Sequence, residues 1–546
     1  QRMKTLSDYM LEKEEELNLE FTSMVNRANT LIGNIGDLNR NIVIANGNNT
    51  SDQPSALLNE RDQAIDELAS IMGITVKEST TQNGAVTINL TSGESLVLEN
   101  GAFNLFELNT NADLTFKQLK LETNFGSQTK ADASIRIVED DLGGALGGLF
   151  GYRNEILGPA MRDVGQLSVA FADAMNTQNK LGMDLDGQLG SNIFDIPSFR
   201  GLAYSDTNGD YVVTAQITEG KGAELTDADY KIEVTAVTAG VPSQIEITLL
   251  NADGTPKKDA SGNDIIYSNY AVTAGFNELP GGIEVDFSGT DPYTVGNEFL
   301  IQPTKDIASK ITLETNRPED LAFASPVRAG ANNTNLGSAN VIDVTVSNTE
   351  VGASAFDGAG GLLNSAPAQI NFTAADTYDV VDGSGNVLAT VTGTTDLTNL
   401  ISQAGISPDP GFDLSLDGVP KAGDSFSISY NTDGFNDNSN ALNLAAIQNE
   451  NTVQVSSEAT NTPRTFQDAY ASMVGRIGED ASMAKVTLAS AEAMKVQSQN
   501  WFESVSGVSL DEEAANLIKY QQSYAAAARI LSTAQELFNT ILQSAR

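Results

Sequence analysis

SLDEEAANLIKYQQSYAAAARILSTAQELFNTILQSAR, residues 509–546, is the stretch that decides the fold of this chain. Its apolar residues recur at alternating spacings of three and four, which predicts a long helix with one continuous apolar stripe. Such a helix is stable mainly because the stripe is buried against a partner. The stripe residues are Leu517, Tyr520, Tyr524, Ala527, Leu531, Ala534, Phe538 and Ile541. The function of the chain therefore depends on what covers this stripe.

Two further stretches carry the same spacing. The seam near the start of the chain comprises Leu17, Phe21, Met24, Ala28, Leu31, Ile35, Leu38 and Ile42. A third set comprises Phe466, Tyr470, Met473, Ile477, Ala481, Ala484, Leu488 and Ala491. Heptad helices at both ends predict either a bundle core within one chain or surfaces that also meet other chains. We expect the helix at 464–504 to cover the C-terminal stripe within the chain, with sister subunits as further partners.

The composition excludes several classes of function. Asp and Glu number 72 against 31 Lys and Arg, a formal net charge of -41. Nucleic acid is excluded as a partner and an anionic membrane is disfavoured, because both require clustered cations. Cysteine and histidine are absent, which excludes disulfides, Ser-His-Asp catalysis and the common zinc sites. A carboxylate-based or lysine-based enzyme would fit the composition, but no such set is visible. We expect no enzyme, no cofactor and no catalytic or metal-binding residue.

The hydrophobic period changes to two after the first helices, and residues 200–435 are rich in strand and turn residues. We predict an α+β multidomain fold in which long terminal α-helices form a coiled-coil-like bundle or rod, with β-rich modules inserted between them. The predicted domains are an N-terminal helical rod segment (1–73), a β-rich module (74–142), a helical return segment (143–199), outer β-modules (200–330 and 331–435) and a C-terminal helical rod (436–546) that includes a terminal assembly helix (509–546).

The two outer β-modules share sequence motifs. Residues 259–263 read DASGN and residues 382–386 read DGSGN. GNEFLI at 296–301 is matched by GDSFSI at 423–428, and an alternating strand precedes each. The similar gaps between motifs favour an internal duplication, with chance similarity of turn-rich sequence as the alternative. We interpret the Gly-Asp and Gly-Asn elements of these motifs as hairpin turns.

Two other motifs resemble ligand sites only in part. The glycines at 143–148 lack the Gly-Lys-Ser/Thr sequence of a phosphate loop, so we expect close backbone approach before a helix at about 152–178. DLDG at 184–187 lacks both the third acid and the twelfth-position glutamate of a calcium loop. We predict a simple turn there.

Four blocks of the chain resemble the flagellar hook-associated protein 1 family, the bacterial hook–filament junction. The fourth is the most specific, because its order and spacing are fixed against the chain terminus. The blocks are LLNERDQ at 57–63 with Gly73; GG at 143–144, GGL at 147–149, LGPA at 157–160 and NTQ at 176–178; GFNDNSNAL at 434–442; and SGVSLDEEAANL at 506–517 with YQQ at 520–522.

The resemblance implies a structural component of the flagellum that is exported without a cleaved signal peptide. Its implied partners are the hook protein, a second junction protein or filament subunits, copies of itself, and a cytoplasmic export chaperone on the C-terminal helix. The chain departs from the family near Asn179, where the family has a histidine. Gln1 also falls inside the family pattern, which implies that the family's first helical segment is missing from this sequence.

Two alternatives remain open at this stage. A flagellin-like or hook-like axial protein would share helical ends and a β-rich middle, although the block at 506–524 argues against it. An acidic extracellular β-repeat adhesin or calcium-binding protein would explain the charge and the Asp-Gly turns. It would leave the paired terminal heptads unexplained.

Overall fold

The computed structural model describes residues 1–48, 54–82, 84–110, 112–123, 134–204, 213–289, 292–454, 463–507 and 509–544. The chain divides into two compact units, Gln1–Val474 and Gly475–Arg546. The second unit consists of helix in its described part. All described strands belong to the first unit.

Long helices occupy both ends of the chain, as the heptad spacing predicts. The α-helices of the described residues are α1 (Arg2–Asn48), α2 (Ser55–Ile71), α3 (Gly144–Gly151), α4 (Gly158–Lys180), α5 (Ile307–Lys310), α6 (Leu400–Gln403), α7 (Ser439–Ala446), α8 (Phe466–Ser506) and α9 (Leu510–Ser544). A π-helical turn, Tyr152–Leu157, joins α3 to α4. The helical run therefore begins at Gly144, earlier than the predicted start near residue 152.

The strands fall into groups between the helices. They are β1 (Ile74–Glu78), β2 (Val86–Leu90), β3 (Ser95–Val97), β4 (Leu105–Thr110), β5 (Lys117–Glu122), β6 (Ser134–Arg136), β7 (Phe194–Asp195), β8 (Phe199–Ala203), β9 (Val213–Ile217), β10 (Asp229–Thr238), β11 (Val241–Leu250), β12 (Ile266–Ala271), β13 (Phe276–Leu279), β14 (Ile283–Asp286), β15 (Glu298–Ile301), β16 (Thr312–Leu313), β17 (Val327–Ala331), β18 (Asn340–Val346), β19 (Pro367–Ala374), β20 (Thr377–Asp382), β21 (Val387–Thr392), β22 (Phe412–Asp417), β23 (Ser425–Tyr430), β24 (Asn451–Val453) and β25 (Arg464–Thr465).

Two small antiparallel sheets, β1-β2-β3 and β4-β5-β6, lie beside the N-terminal helices. The glycines that follow them allow the close backbone approach expected from the sequence. Gly144 has φ +63, and a Cβ there would lie 2.5 Å from the Ile71 carbonyl oxygen at the end of α2. Any larger residue would both strain the backbone and force α2 away.

The two outer sheets share part of their strand order. The eight-stranded sheet runs β12-β11-β10-β15-β8-β9-β14-β13. The five-stranded sheet runs β21-β20-β19-β23-β17, and β18 pairs with β22 beside it. Each strand of the second module thus has an equivalent at the same place in the first, which supports the predicted duplication.

The register of the sheets agrees with this equivalence. Phe299 in β15 lies opposite Ile232 in β10 and Ala203 in β8. Phe426 in β23 lies opposite Ile370 in β19 and Ala331 in β17. Both phenylalanines are fully buried at the centre of their own hydrophobic core.

The matched acidic loops are turns closed by their own aspartate. Asp259 Oδ1 accepts hydrogen bonds from the backbone nitrogens of Ser261 and Asn263, at 2.8 and 2.9 Å. Asp382 Oδ1 accepts the equivalent hydrogen bonds from the backbone nitrogens of Ser384 and Asn386. The side chain of Asn386 also donates to Asp382 Oδ2, and this bond together with the backbone bonds holds the pKa of Asp382 below its ordinary value. The turn interpretation is confirmed for both loops.

The loop at residues 184–187 is also a turn. Asp184 Oδ1 accepts hydrogen bonds from the backbone nitrogens of Asp186 and Gln188, and Gly187 has φ +75. The carboxylate is therefore used to close the loop, in agreement with the prediction.

The fold class predicted from the sequence is confirmed: long helices at both ends of the chain flank β-rich modules in the sequence. Two proposed boundaries need correction. The boundary at 330/331 cuts β17, which pairs with β23 and belongs to the second outer module. The predicted C-terminal rod, 436–546, is not one unit, because its residues up to Val474 belong to the first compact unit.

Candidate functional site

The stripe of α9 is open to solvent along its described length. Its large side chains are 60–81% exposed, from Leu517 at 60% to Tyr524 at 81%. Ala527 and Ala534 are exposed as well. Ser509 Oγ accepts a hydrogen bond from the backbone nitrogen of Glu512 at 3.4 Å, as the predicted cap requires. The helix therefore begins at a capped residue, and the large side chains of its apolar face are exposed to solvent.

The partner expected within the chain does not cover this stripe. Leu488, Met494 and Trp501 of α8 are themselves 59–75% exposed. The expectation that 464–504 packs along α9 is therefore wrong for the described residues. Alternating spacing establishes that a face is apolar, but it does not identify which helix covers that face.

The N-terminal seam lies inside the first unit instead. Its members are less than 9% exposed, except for Met24, which is half-buried. Phe21 stacks on Phe150 of α3, with ring centroids 4.3 Å apart. The same spacing thus has two outcomes in this chain: Leu17, Phe21, Leu31, Ile35 and Leu38 form core, whereas the α9 stripe forms surface.

Arg153 is a buried arginine that contacts several elements of the first unit. Arg153 Nη2 lies 2.7 Å from Glu139 Oε2, and its guanidinium lies 3.9 Å from the ring centroid of Phe116. Burial lowers the pKa of Arg153, although the carboxylate of Glu139 opposes the shift. This group ties the π-helical turn to the small sheet β4-β5-β6 and, through Phe21, to α1.

A second buried pair joins α4 to the first outer sheet. Arg162 donates from Nε and Nη2 to the two carboxylate oxygens of Asp229 in β10, and both side chains are at most 4% exposed. Gln302 donates to the same carboxylate at 2.9 Å. Burial opposes the charged guanidinium, but Asp229 outweighs it and raises the pKa of Arg162. The bidentate geometry fixes the angle between helix and sheet.

A lysine binds two carboxylates near the same junction. Lys305 Nζ lies 2.6 Å from Asp113 Oδ2 and 2.8 Å from Glu14 Oε1. Burial alone would raise the pKa of Asp113, but Lys305 and hydrogen bonds from Thr115 hold it below its ordinary value. This cluster joins α1, the β4–β5 loop and the segment that follows β15.

Sequence reasoning missed these three clusters. Arg162 and Asp229 are 67 residues apart, and Lys305 and Asp113 are 192 apart. No local spacing rule connects residues at such separations. The one usable signal was the position of Arg162 in α4, next to Met161 and close to Val164 in the sequence.

Comparison with known proteins gives matches over the whole chain. Residues 1–194 match the family described as "Flagellar hook-associated protein FlgK helical domain", and residues 501–544 match "Flagellar basal body rod FlgEFG protein C-terminal". Flagellar hook-associated protein 1 of Salmonella typhimurium is 27% identical over 545 residues, which cover 99% of this chain and 74% of that protein. The Escherichia coli protein of the same name is 25% identical over 544 residues, with the same coverage.

A solved structure has the same fold. The flagellar hook junction protein FlgK from Burkholderia pseudomallei superposes with a TM-score of 0.72 at 25% sequence identity, over 92% of this chain and 87% of that one. The resemblance inferred from the four sequence blocks is confirmed by these matches. In the described part of the chain, no helix has the length and apolar content needed to cross a membrane.

Proposed function

Because this chain is similar to flagellar hook-associated protein 1 from end to end, we propose that it is a structural subunit of the bacterial flagellum that joins hook to filament. In the first unit, buried ion pairs join the helices to the sheets. The second unit presents the surface through which copies assemble.

The observation that carries this proposal is the exposed stripe of α9. Burying a large apolar side chain stabilises a contact by about 1.5–3 kcal/mol. Leu517, Tyr520, Tyr524, Leu531 and Phe538 are all more than half exposed, so their burial would supply on the order of 10 kcal/mol before the cost of ordering. An apolar stripe that is exposed in the single chain and buried on assembly is the property expected of a subunit that is monomeric before it assembles.

We further propose the partners that the relatives suggest. Hook protein, filament or second junction subunits, and sister copies would meet the helical ends of the chain. A cytoplasmic export chaperone would cover the α9 stripe before secretion, since an exposed aromatic stripe requires protection. Removing residues 509–546 should abolish chaperone binding, and unchanged affinity would contradict this part.

Leu531→Asp tests the assembly role. The substitution places a charge in the stripe, so we expect filament attachment and motility to be lost while the first unit stays folded. Ser532→Asp is the control, because it adds the same charge one residue away, off the stripe. Full motility with Leu531→Asp, confirmed by electron microscopy of attached filaments, would refute the proposal.

A second axial role has one specific observation in its favour. The family match at residues 501–544 is to the C-terminal segment of rod and hook proteins. The match of residues 1–194 to the hook-associated helical domain favours the junction role over it. Long filaments formed by the purified chain alone would reverse that preference.

A further inference from the structure

Residues 322–325 lead into the first strand of the second outer module, and we call them the connector. Every main-chain N–H and C=O of the connector is hydrogen-bonded. Ala322 donates to Asn179 Oδ1 at 2.9 Å and accepts from Asn440 Nδ2 at 2.5 Å, and both amides are at most 3% exposed. The end of α4 and the start of α7 thus hold the connector from two sides. The other partners from distant segments are Met183 for Ala324, Ala441 for Phe323, and Asp437 and Asn431 for Ser325.

The chain returns from the second outer module at the place where it enters. Asn431 follows β23 directly, and its Nδ2 donates to Ser325 O and to Asp437 Oδ2, both at 2.9 Å. The main-chain N–H of Asn431 donates to Pro326 O, also at 2.9 Å. Ser325 N donates to the same Asp437 oxygen at 3.1 Å. One asparagine and one aspartate therefore fix both ends of the module to each other and to the segment before α7.

Two sequence blocks that lie far apart in the chain meet at the connector. The block at 434–442 contains Asn440, and the block at 176–178 contains Gln178, whose Nε2 donates to Asn440 Oδ1 at 2.6 Å. Gly182 packs against the same amide, because a Cβ there would lie 2.1 Å from Asn440 Nδ2. The amide is buried, so its hydrogen bonds serve the connector and not a partner chain. We call the side chains that hold the connector the clamp; they are Asn179, Asn431, Asp437 and Asn440.

The bonds that hold the connector lie outside the second outer module. In the described part of the chain, the distant main-chain partners of the connector fall within 179–183 and 431–441, whereas the strands of the module run from β17 to β23. The buried core of the module consists of residues from Val327 to Ile428, and Leu189 packs against it from outside. The module therefore has a core of its own, and the connector is held by residues that do not belong to it.

We propose that the clamp confines unfolding to the second outer module. Opening of the module breaks the hydrogen bonds from Thr349 to Lys180 O and from Tyr430 to Gly187 O, but it leaves the bonds of the connector in place. Helices α4 and α7 therefore stay folded while the module opens. The inference goes beyond the proposed junction role and does not depend on it, because it concerns the single chain.

Hydrogen exchange of the full chain in increasing, sub-denaturing urea tests this boundary, with peptides read by mass spectrometry. We expect β19, β20 and β23 to exchange through an opening of their own, at urea concentrations that leave α4 and α7 protected. Phe426→Ala, in the core of the module, should accelerate exchange in these strands by on the order of 100-fold or more and leave that of α4 and α7 within about two-fold. One common opening of strands and helices overturns the proposal, as does equal acceleration by Phe426→Ala.

Asn440→Ala tests whether the clamp is the cause. In that background, Phe426→Ala should also accelerate exchange at the end of α4 and in α7, by about ten-fold or more relative to Asn440→Ala alone. Asn436→Ala is the matched control, because Asn436 lies in the same segment but is exposed and donates to Asp433. In the control background, Phe426→Ala should leave both helices unchanged.

A double variant whose helices exchange no faster than those of Asn440→Ala overturns the proposal. Spread of exchange into α4 and α7 in the control background overturns it as well. The urea series and the single Phe426→Ala variant keep the clamp intact, so they decide the proposal even where Asn440→Ala does not fold.

Discussion

Replacing Arg162 with methionine is expected to open the joint between α4 and the first outer sheet. Asp229 would lose two charge-assisted hydrogen bonds while it stays buried, and Gln302 alone would remain as its donor. Hydrogen bonds to charged groups are each worth about 1.5–3 kcal/mol. The carboxylate of Asp229 can take up a proton, which recovers part of the free energy of the lost bonds. The net loss of stability is then about 3–5 kcal/mol.

Hydrogen exchange measured by mass spectrometry is the suitable assay, because a chain with several domains has no single free energy of unfolding. We expect exchange in peptides from α4 and β10 to accelerate by on the order of 100-fold or more. Arg317→Met is the control. Its pair with Asp186 is more than half exposed, so the solvent already screens it and no measurable change is expected.

A double substitution separates the pair from its surroundings. Arg162→Met combined with Asp229→Leu removes both charges, so most of the lost protection should return. The reasoning is refuted if Arg162→Met behaves like the Arg317 control. It is also refuted if the double variant is as destabilised as the sum of the single ones.

Three further outcomes are expected. Because the pKa of Asp113 is held below 3.8, its carboxylate adds stability that is present above that value and is lost as pH falls through the lower folded pKa. Protection of the peptides around Asp113 from hydrogen exchange, corrected for the intrinsic rate, should therefore drop in acid, and less steeply in Asp113→Asn. Phe426→Ala should cost about 3–5 kcal/mol in the second outer module, and Phe299→Ala the same in the first, as seen by exchange confined to each module. Asp382→Ala should speed proteolytic cleavage of its own turn, while the turn at Asp259 stays resistant.

Sequence patterns predicted the elements of this fold better than their contacts. Alternation by three and four located α1, α8 and α9, because side-chain direction along a helix is a local property. Turn chemistry located the loops at Asp259 and Asp382 for the same reason. Patterns of this kind identify which residues face a partner.

The partners themselves were harder to predict. The seam containing Phe21 and the stripe containing Tyr524 have the same spacing, yet one is core and the other is surface. The buried partners of Arg162 and Lys305 lie in distant strands and loops, which only the tertiary fold brings near.

The duplicated sheets also bear on how such a chain could be altered. Each outer module begins and ends on neighbouring antiparallel strands: Leu202 pairs with Leu300, and Val327 with Tyr430. The polypeptide therefore leaves the helical base and returns at nearly the same point. A foreign domain with adjacent termini could be spliced in at either place, and the second module could be shortened or removed, without moving the ends of the base. The same geometry would let related proteins differ widely in their outer β-modules while they keep the same helices.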